Sequence, residues 1–436
     1  RRPIATGTDI GAMSITKLGS GVGLLGYYMY HGGSNPNGKL STLQESRAIG
    51  YANDLPEINY DFNAPIRQYG TISDNYREIR LLAYFLQDFG ADLAVLPADI
   101  DPDFVKPGDT HTLRVSVRHD DTHGYVFVNN YQRRLTMDDH KDVVLEGKTK
   151  GEPVRFPKTD IASGEYAFYP YNMKLKNAVL VSALATPLCK LSCKDEDVYV
   201  FYGDKDPQFT WDGTPAKVLH LSRADALSAA RVTLKDHQEY LVLSDDFVWE
   251  ESGVLRVVGG EETIIRTFPK LSKDVLPADF KEIAGEGELT VYKRSQNNAN
   301  VQTSVSFVQS TKTPEELSGE LVNSCGQPET LKGDEKIYEI SMQYERENRN
   351  GRKEGYDCIL SFDYACESME LFVNGRKVND YFYTGQRALF SLGYFDFPTK
   401  ITAVLHPLHE GDHIYLQEWP KMDDKKACWI EAVTLT

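Results

Sequence analysis

The sequence predicts a mixed, mainly β protein, with a short α/β segment at its start and two antiparallel β domains after it. Three observations carry this expectation. The first 90 residues read as helix, apolar strand, loop and helix; helical periodicity then gives way to alternation; and turn signals recur through the rest of the chain. The expected divisions are an α/β segment at 1–90, a linker at 91–104, an antiparallel β domain at 105–270 and a jelly-roll-like domain at 271–436. A length of 436 residues suits about three domains.

In the first segment, Thr8 or Asp9 is placed to cap a helix running to Leu18, and Gly19 offers a left-handed stop. Residues 22–30 are apolar at nearly every position rather than alternating, which suits a strand covered on both faces. Ser73 or Asp74 is placed to cap a second helix at 76–89, with Ile79, Leu82, Ala83 and Leu86 on one face and Gly90 as terminator. This order is the closing piece of an alternating α/β fold. It cannot close a barrel by itself, because a barrel of that kind needs eight strands.

Residues 96–102 read as a linker. Beyond them, 112–118 puts Leu113, Val115 and Val117 on one face, and 125–128 answers across a polar turn at 119–124. Residues 177–184, 198–202 and 240–243 continue the pattern. A second boundary is expected between Pro269 and Gly285. After it, Asn374-Gly375 sits between two apolar runs, the pairing that favours a type I′ hairpin turn. Residues 401–405 and 413–416 complete the expected jelly roll.

The net charge of −16 argues against a nucleic-acid partner, since phosphate backbones are held by clustered Lys and Arg. No stretch approaches the roughly 20 apolar residues of a membrane span. The six cysteines are too sparse for a disulfide scaffold and lack paired zinc spacing; Cys189 and Cys193 suit either a pair or two thiols. The chain opens Arg1-Arg2-Pro3 without Met or a signal peptide, which reads as a processed or excised piece. No cofactor or metal is implied. His406, His409 and His413 with Glu410 and Asp412 read as a turn between strands because Pro407 breaks any helix. His111, His119 and His123 with Asp120 and Asp121 read likewise.

Two motifs point to function: Tyr28-Met29-Tyr30-His31-Gly32-Gly33-Ser34-Asn35, and Tyr60-Asp61-Phe62-Asn63-Ala64-Pro65. Together they resemble the last strand and following loop in the catalytic barrel of glycoside hydrolase family 35, the retaining β-galactosidases. The resemblance implies that the first 90 residues close a (β/α)8 barrel. It implies hydrolysis of terminal non-reducing β-D-galactose with retention, through a covalent glycosyl-enzyme. It makes Tyr30, His31, Asn35, Tyr60 and Phe62 candidate substrate-binding residues, since barrel enzymes build sites at the carboxyl ends of strands. Both catalytic glutamates of that family lie earlier than the part that this chain resembles, so no catalytic residue is expected here, and Glu45 and Glu57 read as solvated loop residues.

The implied partners are a β-galactoside or related glycan and an N-terminal barrel segment; the implied location is periplasmic or extracellular. Phe62 departs from the family, which has Tyr there, so a phenol able to hydrogen-bond a sugar hydroxyl is missing. The last domain is similar to the galactose-binding-like jelly rolls appended to many glycosidases. The alternative expectation is accordingly a non-catalytic carbohydrate-binding or bracing β-sandwich module.

Overall fold

A computed structural model describes residues 3–39, 55–100, 105–194, 196–259, 263–294, 302–345 and 358–435. It is mainly β, built from several antiparallel sheets. The contacts divide the chain into two compact units: Arg1–Ala5, Met29–Ser73 and Asn298–Thr436 form one, and Thr6–Tyr28 with Asp74–Asn297 the other. This division does not follow the sequence boundaries at 90, 104 and 270. Glu45 and residues 101–104 of the expected linker lie outside the described residues.

In the second of these units, helix α1 spans Gly7–Gly19 and helix α2 spans Asp74–Val95. The cap of α1 is Thr6, two or three residues earlier than expected, because Thr6 and Asp9 form a reciprocal capping box. Gly19 is not the left-handed residue; Gly21 is, at φ 91°. Gly19 is needed for close packing instead, since a Cβ there would lie 2.8 Å from Phe127 Cβ. Helix α2 runs straight through Gly90. Leu93, 1% exposed, packs with Leu82, Phe85 and Phe168, and that burial outweighs the roughly 1 kcal/mol cost of a mid-helix glycine.

Both helices pack with a six-stranded antiparallel sheet ordered Ala98–Asp99, Arg114–His119, Gly124–Asn129, Tyr166–Leu175, Ala178–Ser182 and Thr210–Asp212. The hairpin expected around residues 119–124 is present, with Arg118 opposite Tyr125. The guanidinium of Arg118 is buried and donates to the Leu96 and Leu18 carbonyls, tying the end of α1 to the sheet. The strand expected at 22–30 does not form. Leu24 and Tyr28 are each 91% exposed, and without a neighbouring strand the run has no ladder to join.

A three-stranded sheet of Thr186–Ser192, Asp197–Tyr202 and Val218–Leu221 follows, then a five-stranded one between Ala229 and Arg294. The latter includes Phe280–Glu286 paired with Leu289–Arg294, so the boundary expected at 269–285 falls inside a sheet.

The other unit is a β-sandwich. Gln302–Gln309, Lys336–Glu345, Lys400–His406, Ser368–Val373 and Arg376–Phe382 form a five-stranded sheet in that order. Ala388–Ser391, Ile359–Ala365 and Trp429–Leu435 form the smaller sheet. Ile340, Met369, Leu371 and Ile401 from the larger sheet join Leu360, Phe362 and Phe390 from the smaller in one fully buried cluster. The turn at Asn374-Gly375 takes φ 51° and 77°, the positive pair that a type I′ turn requires. Residues 413–416 form no strand, although Leu416 is buried against the core.

Candidate functional site

The two motif segments pair with one another inside the sandwich unit. His31 bridges Ile66 in parallel, and Ser34 bridges Asn59 antiparallel. The amide N–H of Gly32 donates to Ile66 O at 2.7 Å, that of Ile66 to Tyr30 O at 3.1 Å, and that of Tyr60 to Gly33 O at 2.8 Å. Gly32 is required by this pairing, because a Cβ on it would stand 2.1 Å from Asp61 Oδ1.

A buried carboxylate on the sandwich anchors the second segment. Asp380 accepts from three successive amides, Glu57 at 2.5 Å, Ile58 at 2.8 Å and Asn59 at 3.2 Å. Lys377, whose side chain is 5% exposed, bridges Glu57 and Glu370 at 2.7 Å each. Glu57 is therefore an ion-paired anchor, not the solvated loop residue expected from sequence. Burial pushes Glu370 up, but Lys377 and His406 more than offset it and hold the carboxyl low. Asn379, fully buried, donates to the hydroxyls of Tyr69 and Tyr381.

Between this strap and the sandwich lies a cleft of about 660 Å³, within the range of small-molecule sites. Asn59, Asp61, Phe62, Arg67 and Tyr69 line the strap side, and Tyr364, Tyr381, Thr384, Gln386 and Arg387 the sandwich side. Phe62 sits at φ 46° with half of its surface exposed, its ring edge-on to Tyr60 at 4.7 Å. Burial pushes Asp61 up to about 6, against the pull of the Gln68 amide, Arg67, Asn59 and His31.

Of the five sequence-derived candidates, only Phe62 lines this cleft. Asn35 is spent structurally, its amide donating to Glu57 O at 3.1 Å. Tyr30 and His31 are exposed on the paired segment, and Tyr60 backs Phe62. Sequence reasoning missed Asp61, Arg67, Tyr69 and the sandwich residues. The signal within reach was Asp61 itself, an acid enclosed between Tyr60 and Phe62.

The histidine groups sit at strand ends and in the turns between strands. His409 N–H donates to Asp412 Oδ2 at 2.8 Å, and His406 lies between Glu335 and Glu370 at 3.5 and 3.4 Å. In the other unit His123 joins Asp92 at 2.8 Å. Among the described residues no group of three or more His, Cys, Asp or Glu is arranged to hold a metal, and no disulfide joins any two of the six cysteines. No helix is long and apolar enough to cross a membrane among the described residues. Compared with known proteins, the chain matches no protein-family model and no curated protein.

Proposed function

We propose that this chain is part of a retaining exo-glycosidase acting on terminal non-reducing β-D-galactose, and that it contributes one wall of the sugar pocket rather than the reacting carboxyls. The observation that carries this reading is the direct pairing of the two motif segments, whose backbone partners are 23 to 36 positions apart. Such pairing fixes a polar turn beside an exposed aromatic face, a geometry suited to the C–H face of a sugar ring.

Retaining hydrolysis needs an acid/base and a nucleophile about 5 Å apart. Glu57 is committed to Lys377 and Asp61 is a single acid, and in this reading the pair comes from another polypeptide segment. The chain by itself is expected to show no turnover of an aryl β-galactoside in a continuous chromogenic assay. Sustained turnover by mass-verified chain would overturn the proposal.

A second reading, a non-catalytic carbohydrate-binding module, is favoured by one observation: the cleft is completed by residues of the sandwich unit alone. It expects galactose binding by titration calorimetry with no dependence on any added segment.

A further inference from the structure

The charges around the cleft are unevenly satisfied. Arg387 is paired with Asp363 at 3.3 Å, and Asp61 accepts from the Gln68 amide at 2.6 Å and faces the Asn59 side-chain amide at 3.5 Å. Arg67 is half-buried at the wall, yet its guanidinium has no hydrogen-bond acceptor and no carboxylate within 4 Å among the described residues. The guanidinium keeps contact with solvent and its charge acts on Asp61, but its donors meet no protein acceptor among the described residues and are open to a bound anion. Its planar fork matches a carboxylate with two parallel hydrogen bonds. Its backbone is held firmly, since Arg67 N–H donates to Thr71 O at 2.8 Å and Gly70 N–H to Arg67 O at 2.8 Å, with Gly70 at φ 80°.

The rest of the lining suits a polyhydroxylated ring. Phe62 offers an exposed face, and Thr384 and Gln386 offer a hydroxyl and an amide on the opposite side.

We propose that this cleft binds an acidic sugar, a hexuronate, with Arg67 gripping the carboxylate and Phe62 stacking on the ring. The proposal stands apart from hydrolysis: it concerns binding within the sandwich unit and is read without any turnover.

Titration calorimetry on the full 436-residue chain compares D-galacturonate with D-galactose, which differ only in the carboxylate. The acid is expected to bind at least about tenfold more tightly, the equivalent of one charge-assisted hydrogen bond. R67Q, checked for folding by its melting curve, is expected to erase that advantage, and F62A to weaken both sugars alike. Should R67Q fail to fold, R67K replaces it: the point charge without the fork is expected to cut the advantage at least about threefold. Equal affinity for the two sugars, binding of neither, or an advantage undiminished in a folded Arg67 variant overturns the proposal. None of these outcomes bears on turnover of an aryl β-galactoside, so failure here is distinct from failure of the glycosidase reading.

Discussion

Asp61 illustrates how one buried acid ties pH to stability. Its folded value of about 6 lies above the ordinary 3.8, chiefly through burial, so the folded state holds the proton more tightly than the unfolded chain does. The stabilising contribution is complete below 3.8 and is lost as pH rises through about 6, a change on the order of 3 kcal/mol. D61N is therefore expected to gain melting temperature relative to the parent as pH goes from 5 to 7.5, read by calorimetric scans; a constant difference would count against it. Asp380 matters in a different way, as an acceptor that three amides depend on. D380A leaves those donors buried and unpaired, with an expected loss of about 3 kcal/mol or more, and hydrogen exchange at Glu57, Ile58 and Asn59 should accelerate together. The need for Gly32 was not legible, because the neighbour that leaves no room for a side chain is Asp61, brought in by the fold. Nor was Arg67, because its meaning depends on a cleft whose other wall lies some 300 positions away.

Elements followed local signals where neighbours in sequence decide the outcome. The Asn374-Gly375 hairpin formed as expected because a type I′ turn needs nothing beyond its own residues and the twist of its strands. G375A adds a Cβ at φ 77° that would also meet Glu320 O at 3.0 Å. The expected loss is about 1–2 kcal/mol, measured as a lower urea midpoint with unchanged slope. Residues 22–30 show the limit of the same reasoning. An apolar run specifies a wish for burial, but a strand also needs partners for its amides, and periodicity is silent about those. Helix α2 outran its glycine for a related reason: Leu93 and Leu96, each 1% exposed, found a core supplied by distant strands.

At the scale of the whole molecule, the succession of strands and the final sandwich were legible because inward and outward positions alternate along strands such as Ala178–Ser182 and, in the sandwich, along 338–343. The grouping of segments was not. Residues 1–5 and 29–73 belong with 298–436, and nothing in composition marks a chain that leaves a unit and comes back to it twice. The acid that secures Glu57 stands 323 positions later in the chain. On a ribosome adding about 5–20 residues per second, the strap emerges and then waits roughly 15–65 s before its anchor exists. During that interval Ile58 and its neighbours are bare, so cellular production of this protein depends on whatever shelters a nascent chain, and slow translation is a hazard to it rather than a help.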